Sequence, residues 1–118
     1  MSTIKLKRMY ERPEQSDGIR ILIDRLWPRG ISKEEARLDY WLKDLGPSNE
    51  LRKWFNHDES KFKTFKDKYI KELQTGEQLE AYQKLNQIIG NANKDITLLY
   101  ASKEEIHNHA QVIKQLIQ

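Results

Sequence analysis

Three short stretches of this chain carry the apolar patterning of strands, and the long interval before the third is patterned as helix. Ile4-Lys5-Leu6-Lys7 alternates apolar with charged residues, which predicts a strand with one wet face and lysines that discourage edge pairing. Ile19 to Ile23 is a nearly continuous apolar run, with Arg20 as its exception, and Ile96 to Ala101 is another. Both runs suit strands buried on two faces of a sheet. The helical interval between them makes a long crossover, which predicts that these two strands are parallel neighbours. Only the turn-rich segment Glu11 to Gly18 separates the first two strands, short of the ~10 to 12 residues of a helical crossover, so an antiparallel pair is expected there. A turn of helix within Pro13 to Asp17 would reverse that expectation.

Helix signals punctuate the interval. Ser32-Lys33-Glu34-Glu35 is a capping box, predicting a helix with an inner stripe of Leu38, Trp41, Leu42 and Leu45 that Gly46-Pro47 closes. Ser48 caps a short helix burying Leu51, Trp54 and Phe55. Asn56-His57-Asp58-Glu59 starts a helix reaching about Gln74, with Phe62, Phe65, Tyr69 and Leu73 inward and lysines around the remaining circumference. Gly76 breaks the pattern, and Leu79, Tyr82, Leu85 and Ile89 line a further helix that Gly90-Asn91 ends. Ser102-Lys103-Glu104-Glu105 repeats the earlier tetrad and predicts a last helix with Ile106, Ala110, Ile113 and Ile117 on one face. The expected architecture is α/β: a small three-stranded sheet, its last two strands parallel, packed with about five helices in one domain over residues 1–118.

Composition narrows the partners. A chain of 118 residues buries roughly two thirds of its unfolded surface without staples. The absence of cysteine removes disulfides, thiolate zinc sites and cysteine nucleophiles. The start Met1-Ser2-Thr3 is polar and no stretch approaches the ~20 apolar residues of a membrane span, so the expected setting is cytoplasmic with no membrane partner. A net charge of +3 with interspersed lysine and glutamate argues against a nucleic-acid footprint, so any anion preference must come from a local cluster.

That cluster is Asp24-Arg25-Leu26-Trp27-Pro28-Arg29-Gly30, where an apolar strand stops. If the strands ending at Asp24 and Ala101 are parallel neighbours, their carboxyl ends share one sheet edge, where open α/β folds bind ligands. Arg25 and Arg29 are then the candidate anion-binding residues, with Ser102, Lys103 and the amino terminus of the last helix beside them. Asp24 and His107 are the candidate proton-transfer pair, and Trp27, His57, Asn108 and His109 the candidate cleft lining. Structural roles stay open for all of them: arginines in surface ion pairs, Trp27 in packing, His57 in a cap and His109 in the core. The pair His107 and His109 does not predict a metal site, because residues two apart on a helix point ~200° apart. No metal or cofactor is implied.

The segments Asp24 to Gly30, Glu50-Leu51-Arg52-Lys53-Trp54-Phe55 with His57-Asp58, and Thr97 to Ala101 followed by Glu105, His107, Asn108 and His109 together resemble the DUF488 family in its short YeaO-like branch. The resemblance spans nearly the whole chain. It implies a small α/β domain whose motif positions fall at the sheet edge, His57 included. Longer members of the wider family carry cysteine near the last strand, where this chain has Tyr100 and Ser102, so the resemblance implies no thiol chemistry. Ile106 stands where relatives often carry a polar residue and is not counted as functional. The leading expectation is an anion-binding cleft, with or without enzyme activity on a phosphorylated or nucleotide-like small molecule. The rival readings are a nucleic-acid-binding regulator and a protein-interaction domain.

Overall fold

A computed structural model describes residues 3–118. Four parallel strands form the sheet: β1 (Ile4–Arg8), β2 (Ile19–Leu22), β3 (Tyr40–Trp41) and β4 (Ile96–Tyr100), in the spatial order β1-β4-β2-β3. The α-helices are α1 (Lys33–Ala36), α2 (Asn49–Phe55), α3 (Phe62–Glu72), α4 (Gly76–Asn91) and α5 (His109–Ile117).

The α/β class, the five helices and the parallel pairing of the last two predicted strands agree with the sequence reading, but the sheet has one strand more and, among the described residues, no antiparallel pair. β1 and β2 are not neighbours at all, because both flank β4, Ile4 and Ile19 each standing opposite Ile96. The link Met9 to Gly18 reaches roughly 33 Å if extended, enough to return along a strand about 17 Å long and step over one neighbour. It does so with a 3₁₀ turn at Gln15–Asp17, held to β4 by the Thr97 hydroxyl donating to the Asp17 carbonyl at 2.7 Å. Gly18 completes the return at φ +68°, and a Cβ there would stand 2.0 Å from the Asp95 carbonyl oxygen.

The extra strand comes from the segment expected to continue α1. The Ser32–Glu35 capping box forms as predicted, yet the helix lasts one turn and Arg37 turns left-handed at φ 48°. The reason is Arg20, the exception in the apolar run. Buried at 5 % exposure, its guanidinium donates to the Ala36 carbonyl at 2.8 Å and pairs with Asp17, while the β2 carbonyl of Arg20 accepts from the Asp39 amide at 2.9 Å. The carbonyls that would extend the helix are thus claimed by a side chain, and the backbone joins the sheet edge instead. Trp41, expected inside, is 40 % exposed on β3.

The sheet's two faces are covered unequally. Ile21, Ile23, Ile96, Leu98 and Tyr100 meet Phe55, Phe65, Tyr69, Leu85, Val112 and Ile113 from α2 to α5 in the main core. Leu22 and Leu99, facing the other way, pack with Met9 and Ala36 and with half-buried Trp27, Ile31 and Leu38. The alternation along β2 and β4 therefore divides apolar residues between two cores, which is why both strands read as continuous runs.

Candidate functional site

The carboxyl ends of β2 and β4 lie side by side. The Ile23 amide donates to the Leu99 carbonyl at 3.1 Å, and the Ala101 amide donates to Asp24 Oδ2 at 2.9 Å. Both chains leave the sheet here, and the gap between their corners is a cleft of about 550 Å³. Of the residues singled out in the sequence, Asp24, Arg25, Trp27, Arg29, His57, Ser102, His107, Asn108 and His109 all line it. Lys103 is not among the lining residues, and its side chain is exposed.

The last helix starts later than expected. Ser102 Oγ accepts from the Glu104 amide, two residues on, closing a turn rather than a capping box. Asn108 is the cap instead: its side chain accepts from the Gln111 amide at 3.0 Å and donates to the Glu104 carbonyl. The amino terminus of α5 therefore belongs to Asn108 and His109, while Ile106, expected on the buried face, is 68 % exposed. Arg8 fixes the preceding corner by donating to the Ala101 and Ser102 carbonyls.

The arginines of the Asp24 to Gly30 segment differ in what they have left to offer. Arg25 donates through Nε to the Pro47 carbonyl and through Nη2 to the Gly46 carbonyl, and its Nη1 lies 3.7 Å from Asp44, so it mainly fastens the corner to the start of α2. Arg29 is exposed, and its guanidinium has no partner among the described residues. Trp27 donates to the Ile31 carbonyl and meets Trp41 edge-on at 5.2 Å, while Trp41 donates to the Asp24 carbonyl. Two indoles thus brace the corner from outside.

The opposite wall comes from α2 and the turn after it, where the sequence reading singled out only His57 as lining and quoted Arg52 and Lys53 within the family-like segment Glu50 to Phe55. Asn49, Arg52 and Lys53 line the cleft as well. Their signal was present in the Arg52-Lys53 pair of a capped seven-residue helix, but such residues look the same as a solvated face until the helix is placed. Past Phe55 the chain turns through two consecutive left-handed residues, Asn56 at φ 45° and His57 at φ 55°. Asparagine and histidine are among the side chains that tolerate this conformation best, and the turn sets His57, exposed, on the rim.

The structure pairs Asp24 with His109 rather than with His107. His109 Nε2 lies 3.1 Å from Asp24 Oδ1 and 3.1 Å from the Ile23 carbonyl oxygen. The N–H is better aligned with the carbonyl, so Oδ1 is buried without a directed hydrogen bond of its own. Tyr69 packs edge-on against the His109 ring and donates its hydroxyl to the Leu45 carbonyl. Burial pushes that hydroxyl well above the ordinary tyrosine range, and the nearby Asp24 and Glu72 charges push the same way. His107 sits nearer the mouth, edge-on to Phe62, and its Nδ1 lies 2.8 Å from Glu104 Oε1. The hydrogen bond from His107 holds the Glu104 carboxyl below the usual carboxylate range. Glu59, Glu104 and His107 could bring three donor atoms within 4.8 Å of one another, but Glu59 is 70 % exposed and Glu104 already accepts from the histidine.

The lining is strongly biased in charge. Four cationic side chains, Arg25, Arg29, Arg52 and Lys53, face one carboxylate, Asp24, whereas the whole chain balances 21 basic against 18 acidic residues. Phe55, Phe65 and Trp27 add apolar wall. No helix among the described residues is long and apolar enough to cross a membrane.

Residues 3–118 match a family model described as the inactive DUF488-N3 subclade. The chain is 46 % identical to the uncharacterised protein YeaO of Escherichia coli K12 over 111 residues, covering 93 % of this chain and 92 % of that one. It is 35 % identical over 114 residues to the uncharacterised proteins Mb3100c of Mycobacterium bovis and Rv3073c of Mycobacterium tuberculosis H37Rv, covering 97 % of this chain and 92 % of each relative. No solved structure matches the chain significantly.

Proposed function

The chain belongs to the DUF488 family, in its YeaO-like branch, and from that premise we propose that it is an anion-binding domain whose cleft takes a small molecule bearing a phosphate or carboxylate. The observation that carries this reading is the charge of the cleft lining, four cations to one carboxylate in a chain close to balance. Arg29, Arg52 and Lys53 form no ion pair within 4 Å among the described residues, so their charge is available to a ligand. A cluster of this kind in a concave site raises the local concentration of anions far more than the small net charge does. The volume falls in the range of small-molecule sites, and the aromatic wall suits an organic portion attached to the charged group.

In this reading the protein binds and does not turn over. Asp24 and His107 form no acid–base pair, because Asp24 meets His109 and His107 Nδ1 meets Glu104. The word inactive in the description of the matched subclade points the same way.

Isothermal titration with inorganic phosphate and with adenosine monophosphate tests the reading, using the wild type and a variant carrying Arg29→Ala, Arg52→Ala and Lys53→Ala. These side chains are exposed, so the variant should fold. Saturable binding that the triple substitution weakens at least about tenfold supports the reading, one decade being about 1.4 kcal/mol. Unchanged affinity overturns it. Binding of duplex DNA with a steep salt slope would instead favour the nucleic-acid regulator.

A further inference from the structure

We infer that the ligand of this cleft carries an O–H or N–H donor close to its anionic group, and that His109 Nδ1 accepts the hydrogen bond from it. The inference rests on the anion-binding reading and narrows it to a class: an organic phosphate or carboxylate with hydroxyl or amino groups, such as a sugar phosphate or a nucleotide, in preference to a bare inorganic anion.

The argument starts from the two oxygens around His109 Nε2. The Ile23 carbonyl and Asp24 Oδ1 stand 3.1 Å away, and both can only accept. The carbonyl has no proton to give, and Asp24 Oδ2 already takes the Ala101 amide, as a carboxylate does. Nε2 must therefore carry the hydrogen of the neutral ring, which leaves the lone pair on Nδ1. The ring is held in place: the His109 and Asp24 side chains are 13 % and 15 % exposed, and Tyr69 lies edge-on against the imidazole. Nδ1 has no partner among the described residues and is not fully buried, and His109 lines the cleft.

The rest of the cleft sets the ligand's other half. Arg29, Arg52 and Lys53 only donate, so they call for an anion; a fixed acceptor among them calls for a donor on the same molecule. His107 serves as an internal comparison. Its Nδ1 donates to Glu104, which in the neutral ring leaves the lone pair on Nε2, but at 32 % exposure the side chain faces water that competes with any ligand.

Long-range proton–nitrogen NMR of the full chain tests this directly. His109 signals are identified by their loss in His109→Gln. The expected result is an Nε2–H tautomer in the free protein, with an Nδ1 resonance that moves on saturation with adenosine monophosphate and not with inorganic phosphate. A free protein in the Nδ1–H tautomer, or an Nδ1 resonance that stays still while adenosine monophosphate binds, overturns the inference and leaves the anion reading standing. Failure of both ligands to bind overturns the anion reading, and this inference with it.

Discussion

The backbone amide of Ala101 donates to Asp24 Oδ2 over 2.9 Å, tying the corner after β4 to the corner after β2. One side chain thereby holds together two chain exits that are remote in sequence, and its other oxygen faces His109 on the helix that follows. Asp24→Ala removes the acceptor and leaves a partly buried amide unpaired. The expected loss is about 1–3 kcal/mol of stability, read from urea unfolding. A loss within error of zero would show that the two corners are held by the sheet alone.

Arg20 is the side chain that ends α1 and brings β3 to the sheet. Arg20→Met leaves Asp17 buried with only Lys7 as a cationic partner and strips the Ala36 carbonyl of its donor. Removing one partner of a buried pair costs about 3–5 kcal/mol, and Arg20→Lys should rescue little, since one ammonium cannot reproduce the fork. Chemical denaturation of both variants checks this; a fully stable Arg20→Lys protein would contradict it.

Asp17 sets the acid limb of stability. Burial pushes its carboxyl up, but the Glu14 amide together with Lys7 and Arg20 outweighs burial and holds it below the usual carboxylate range. A carboxyl depressed in the folded state stabilises at pH above its unfolded value, and that contribution is lost as pH falls through the folded value. Lys7 behaves oppositely: burial pulls it down, the hydrogen bonds to Asp17 and Glu14 outweigh burial, and its raised value gives stability that fades only as pH climbs past the ordinary lysine range. Asp17→Asn should therefore lower stability at neutral pH, and its gap from the wild type should narrow below about pH 4. Unfolding free energies measured from pH 7 to pH 2 test the sign; a gap that widens toward acid would contradict it.

Gly18 permits the close passage of the β1–β2 link past β4. Gly18→Ala combines an unfavourable φ of +68° with a Cβ 2.0 Å from the Asp95 carbonyl oxygen. The clash is with backbone, so relief requires moving a strand end. A loss of more than about 2 kcal/mol is expected, and a thermal midpoint equal to wild type would show that the link shifts freely.

The cleft was legible because its two corners follow strands with unmistakable apolar runs, and parallel pairing of those runs brings Asp24 and Ala101 to one edge. Three features were hidden, each for a physical reason. Ser32 and Ser102 begin the same tetrad, but local capping signals do not reveal competitors: buried Arg20 takes the first helix's carbonyls, and Asn108 offers a cap closer to the apolar face of the second. The all-parallel order depended on a single 3₁₀ turn at Gln15–Asp17, which no periodicity marks. Arg52 and Lys53 stood only within the family-like segment Glu50 to Phe55 with no role assigned, since a charged residue carries no sign of whether the surface opposite it is water or a cleft wall.

The most direct measurement of the central claim is a proton–nitrogen correlation spectrum of the backbone amides during titration with adenosine monophosphate. Anion binding in the cleft predicts saturable shifts that map to residues 24–29, 49–57 and 101–109 and that vanish in the Arg29, Arg52 and Lys53 triple variant. Shifts confined instead to the shallow depression around Arg12 and Arg37, or no saturable shift at all, would contradict it.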